Sequence, residues 1–237
     1  MKKIFLLLIL MSMAAVGLRA QEDFNGRMVL TISGTEIKEP MDITYYFLNG
    51  EVLMKPQIRD KESGKEAEVG ILFKPQQQVF FILMGGKDGK MAMRKTYDNI
   101  NEMLDTTKVE RPKITQTSET KRINGYLCRK VIAETSTAIM DMWVTNDLKF
   151  SLGKLMAYSK MNMGKGRRQA SADNGWGNVK GASLETVVKD KQRGSTSTIL
   201  VKEISTEHPS ASLFDMTDYQ VMEMPSLKDM LPFGKKR

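Results

Sequence analysis

The sequence predicts a mainly β (α+β) fold, a curved antiparallel sheet or half-open β-barrel with two or three short helices on its concave face. Three observations predict it. Apolar and polar residues alternate along much of the chain, as in Met28, Leu30 and Ile32 against Val29, Thr31 and Ser33, which is the period-two signature of strands with one covered face. Asn49-Gly50, Asp88-Gly89 and Asn124-Gly125 separate such runs, and these dipeptides adopt the positive φ angles of tight hairpins. The strand segments number about ten, and one open sheet of that size curls, leaving a concave side for inserted helices to cover.

The elements follow in order. After the first run, Ile43, Tyr45 and Phe47 lead to the Asn49-Gly50 turn, and Glu51 to Ile58 returns. Val69, Ile71 and Phe73 mark the next strand, Val79 to Met84 another, and Asp88-Gly89 turns the chain into Met91 and Met93. Tyr97 to Leu104 breaks the alternation and gathers Ile100, Met103 and Leu104 on one side of a short helix. Strands resume over Lys113 to Lys121, Tyr126 to Ala133 and Ile139 to Val144. A second helix is expected over Leu148 to Met161, where Leu148, Leu152, Leu155 and Met156 fall at helical spacing. Met163 to Gly181, rich in Gly, Ser, Asn and basic residues, reads as a long loop. Ser183 to Lys189 and Thr196 to Ile204 complete the sheet, and the tail from Leu213 to Phe233 ends in a short helix carrying Leu227, Met230 and Leu231.

Lys2 and Lys3, the apolar run Ile4 to Val16 and the small residue Ala20 have the layout of a cleavable secretory signal. The run is shorter than the ~20 residues a spanning helix needs, so cleavage is expected after Ala20, with one domain over 21–237. Removal of 20 of the 237 residues leaves 217, and the loss of Lys2, Lys3 and Arg19 lowers the net charge from +8 to +5. Position 21 is Gln, whereas bacterial lipid anchoring needs a cysteine directly after the cut. The expected compartment is therefore periplasmic or extracellular. Nucleic acid is not an expected partner there. Cys128 is the single cysteine, so no internal disulfide is available, and its small apolar side chain suits a buried position between Leu127 and Val131.

The residue types that carry common catalytic and metal chemistry do not assemble in sequence. His208, the lone histidine, precedes Pro209 in a polar connection. With one Cys and one His, short-spaced zinc ligands are lacking. No G-x-S-x-G occurs, and the glycine pair Gly164 and Gly166 ends a would-be dinucleotide pattern at Gln169. Carboxylates such as Asp141, Asp147, Glu185 and Asp190 are separated along strands, where acids more often form a solvated face. No metal, cofactor or catalytic set is expected. The other unusual feature is methionine, 19 in all with Met1, Met11 and Met13 in the signal; its flexible side chain fills cores and suits surfaces for apolar ligands of varied shape.

Ile123-Asn124-Gly125-Tyr126-Leu127-Cys128-Arg129-Lys130, followed by Met142-Trp143-Val144-Thr145-Asn146-Asp147-Leu148, resembles a domain-of-unknown-function family of exported Gram-negative proteins with the pattern I-x-G-Y-x-C-x-K, W-V-T-x-D-L and a closing L-F-x-x-P-x-G-Y. In the closing segment, with one of the pattern's open positions skipped, Leu213, Phe214 and Tyr219 match, while Met216 and Asp218 stand where the family tends to have proline and glycine. Such families are similar to the LolA and LolB carriers of outer-membrane lipoproteins. That resemblance implies a half-open barrel plugged by helices and a periplasmic life. The sequence-based expectation is a non-enzymatic binding protein for an acyl chain or lipidated peptide, lined by Ile43, Tyr45, Phe47, Phe73, Phe81 and Met93, with Leu152 and Met156 as a lid. An envelope interaction module with a filled core and a protein partner is the alternative.

Overall fold

The computed structural model describes residues 24–58, 68–86, 89–96, 112–150 and 179–224. They form one sheet of twelve strands. Six make a first meander: β1 Gly26–Gly34, β2 Met41–Leu48, β3 Glu51–Pro56, β4 Val69–Lys74, β5 Val79–Gly86 and β6 Gly89–Thr96. Five make a second: β7 Lys113–Ile123, β8 Tyr126–Glu134, β9 Ala138–Thr145, β10 Ala182–Asp190 and β11 Thr196–Ser205. β12, Tyr219–Glu223, follows. The spatial order is β12-β6-β5-β4-β3-β2-β1-β11-β10-β9-β8-β7. Among the described residues β12 and β7 are thus the two edge strands, and the sheet is curved but not closed.

Each meander follows from its turns. Asn49 and Gly50 have φ of 51° and 80°, and Asn124 and Gly125 have 50° and 82°, the paired positive values that match a two-residue turn to strand twist. β3 stops at Pro56, which has no N–H to give to a ladder.

The two meanders meet where β1 pairs antiparallel with β11, Arg27 opposite Ser205 and Gly34 opposite Ser197, with a bulge between Val29 and Leu30. Polar side chains brace this seam. Arg27 bonds Glu203 at 2.8 Å, Thr31 Oγ1 donates to Asp42 at 2.5 Å, and Lys202 reaches the same carboxylate at 3.0 Å. These two hydrogen bonds and the ammonium charge hold the Asp42 carboxyl below its ordinary value, against a smaller opposing effect of burial.

Curvature shows in contacts between strands that are not neighbours. The tip of the β7–β8 hairpin passes over two strands, where Asn124 Nδ2 donates to the Val201 carbonyl of β11 at 2.7 Å. Lys121 of β7 bonds Glu185 of β10 at 2.7 Å and lies 4.4 Å above the Trp143 ring of β9. The motif residues thereby find physical roles: a turn, a tether and a cation on an indole.

Apolar residues occupy both faces. The larger cluster takes side chains from both meanders, including Met28, Tyr45, Phe73, Met142 and Leu184. A smaller one on the opposite face joins Leu53, Leu72, Phe81 and Leu83 to Phe214.

Three expectations need correction. Among the described residues there is no α-helix, only single-turn 3-10 segments at Pro75–Gln77 and Ala211–Phe214. Leu148 to Phe150, where the second helix was expected to begin, are not helical, and the rest of that segment, like Tyr97 to Leu104 and Leu227 to Leu231, lies outside the described residues. Ahead of the expected tail helix the chain supplies a strand that was not expected, β12, paired in parallel with β6, Tyr219 opposite Lys90 and Glu223 opposite Arg94. Its alternation is too short and too exposed to stand out in sequence.

Two outcomes are expected. Asn124→Ala should lower unfolding stability in urea by about 2 kcal/mol, since it strands the Val201 carbonyl and places alanine in the left-handed region. The Asp42 contribution is fully present above its ordinary value of 3.8 and is lost as pH falls below it. Stability measured from pH 5 down to pH 3 should therefore fall further in the native chain than in Asp42→Asn, by about 1 kcal/mol after screening.

Candidate functional site

Cross-strand register places residues on shared rungs, because paired positions point to the same face of a sheet. One rung on the larger cluster's face crosses eight strands. It begins at Ile204 of β11, paired with Met28, and passes to Tyr45 and Met54. From there it runs to Ile71, Ile82, Met93 and Met222 of β12.

Every member is apolar or aromatic. Its members differ in burial: Met28, Tyr45 and Ile71 are 0%, 1% and 4% exposed and Met222 is 43% exposed, with Ile204, Met54, Ile82 and Met93 half-buried. Beside its open end Met84 pairs with Met91, itself 42% exposed. Strands lie about 4.8 Å apart, so the track from Met54 to Met222 is about 19 Å long. An apolar track that starts in the core and surfaces at a free edge can accept a linear apolar group by hydrophobic contact alone, and methionine can repack around it.

The sequence-selected residues divide into three sets. Ile43, Tyr45, Phe47 and Phe73 are buried within the larger cluster. Their rings pack on one another and on neighbours, Tyr45 on Phe47 at 6.3 Å and Phe73 on Phe80 at 6.0 Å. Met93 shares their face, half-buried toward the open end. Phe81 does not join them: it pairs with Leu72 and packs in the smaller cluster on the other face. Leu152 and Met156 lie outside the described residues, as does most of the Met163 to Gly181 loop. The open-end residues Met54, Met84, Met91 and Met222 were not singled out in sequence, although Met91 and Met93 alternate there.

Cys128 is fully buried. Desolvation pushes its thiol up, outweighing a backbone hydrogen bond at Ile123 and the Lys121 charge, so the nucleophilic thiolate is disfavoured. His208 is exposed, and among the described residues no group of three or more His, Cys, Asp and Glu could hold a metal. Nor is any described helix long and apolar enough to cross a membrane. A colorimetric disulfide reagent is expected to leave Cys128 unmodified in the native chain at neutral pH and to titrate one thiol after unfolding.

Solved structures with some likeness include PNGF-II in two crystal forms, at 14% and 16% identity with TM-scores of 0.45 and 0.43 over 86% of this chain. The chain spans about a third of PNGF-II, 31% and 32% of its length. A Vibrio parahaemolyticus domain named for outer-membrane lipoprotein sorting matches at 9% identity with a TM-score of 0.29, over 83% of this chain and 92% of its own. Overlap this low does not bear on the ligand. No curated protein matches the chain. The model of the family described as "Domain of unknown function (DUF4412)" matches residues 24–219, and the chain belongs to that family.

Proposed function

We propose that the mature chain is a non-enzymatic binding protein of the periplasm or extracellular space that holds an acyl chain, free or on a lipidated peptide, along the methionine-rich track. The continuous apolar rung from Tyr45 to Met222, exposed at its β12 end, carries this reading. Each methylene buried on it gains about 0.8 kcal/mol, so a chain of roughly a dozen carbons needs no charged contact. The signal-like leader supports the compartment.

A second reading is favoured by β12 itself. Its outer edge is unpaired among the described residues, and Val221 and Met222 are both exposed, so an envelope protein could add a strand there. The two differ in what they bind.

The test is titration of the chain lacking residues 1–20 with dansyl-undecanoate, together with native mass spectrometry of gently purified protein. Saturable binding, weakened about tenfold or more by Met93→Glu with an unchanged melting temperature, is expected, because the variant sets a carboxylate on the apolar track. Absence of both dansyl-undecanoate binding and a co-purified lipid would sink the acyl reading.

A further inference from the structure

The opposite face of the first meander carries a cavity that the acyl reading does not use. Its volume is about 470 Å³, within the range of small-molecule sites. Its lining comes from β2 to β6 and the start of β12. Glycine makes part of the room: Gly70 lines it, and a Cβ there would sit 3.5 Å from the Leu53 side chain and 3.6 Å from that of Lys55.

The lining contains an orphan. Thr44 is only 8% exposed and lines the cavity, yet its hydroxyl bonds nothing among the described residues. A buried hydroxyl without a partner is destabilising, so its position at a cavity wall points to a ligand that supplies the missing bond. The half-buried Tyr46 phenol, two residues along the same face, is likewise unpartnered among the described residues.

Charged groups complete the set. Glu68 lies directly on the backbone of Gly85, where an added Cβ would stand 2.2 Å from Glu68 Oε2 and 2.7 Å from its Cβ. Glycine at 85 is what allows the carboxylate that place. Lys55 forms no ion pair among the described residues. Lys90 meets Asp218 only at 3.9 Å and hangs 5.7 Å from the Tyr219 ring centre.

The occupant must accept from two ammonium groups, donate to a carboxylate, reach a buried hydroxyl and lay C–H faces against tyrosine rings. A phosphate or simple carboxylate would leave Glu68 without a donor, a cation would leave Lys55 and Lys90 without an acceptor, and a purely apolar molecule would strand all of them. A hydroxyl is donor and acceptor at once, and rings carrying several hydroxyls on an apolar frame fit every demand. We infer that this cavity binds a short saccharide. It is independent of the acyl track, which lies on the other face.

The chain lacking residues 1–20 should be screened on an array of bacterial, plant and animal oligosaccharides, and the strongest binder titrated by calorimetry. Saturable binding is expected, weakened about tenfold or more in Lys55→Ala and in Glu68→Ala, whose exposed side chains leave thermal melting unchanged. Thr44→Val gives a signature that a structural role would not: weaker saccharide binding with a melting temperature raised by about 2–4 °C. No binding anywhere on the array, equal binding by the alanine variants, competition by inorganic phosphate alone, or a lowered melting temperature in Thr44→Val would each overturn the assignment.

Discussion

The β1–β11 ladder is the constraint on which the rest of the structure depends. Without it the chain is two meanders, each with an apolar face and no partner to cover it. With it, Met28 and Leu30 stand opposite Ile204 and Val201, and side chains from both meanders enter one cluster. The polar braces at Asp42, Lys202, Arg27 and Glu203 surround a contact whose main driving force is apolar burial. Exposed pairs of this kind contribute little individually; their geometry fixes register, and in a sheet a one-residue slip would send every side chain to the wrong face.

Strand existence was legible where alternation and turns agreed. Asn49-Gly50 and Asn124-Gly125 sit where the sequence puts them. Orientation was less legible where a strand is covered on both sides. Val79 to Met84 reads as a continuous apolar run, so nothing local distinguishes Phe80, which faces the larger cluster, from Phe81, which faces the smaller. Only pairing with Phe73 and Leu72 decides it. β12 escaped for the opposite reason: Gln220 to Glu223 are all exposed, and an edge strand without burial contrast leaves no period to detect. The site residues were legible in kind, since methionine abundance is visible in composition, but not in position, because a rung is assembled from residues far apart in sequence.

Both faces of the first meander therefore carry structure. One carries the methionine track; the other carries an apolar patch closed by Phe214 and, beside it, a polar cavity. Phe214 links the two, because the 3-10 turn that buries it on the second face leads directly into β12, which ends the track on the first. Loss of that anchor would disturb the edge strand and the cavity wall at Tyr219 together.

The order in which ribosomes deliver these strands gives the seam another meaning. The segment that pairs with residues 27–34 is 197–205, so the first meander leaves the ribosome long before its partner exists. Until then the nascent chain presents a bare, apolar strand edge, the kind of surface that associates with other chains. High contact order slows the final closure, and the outer edge of β1 stays open through that interval.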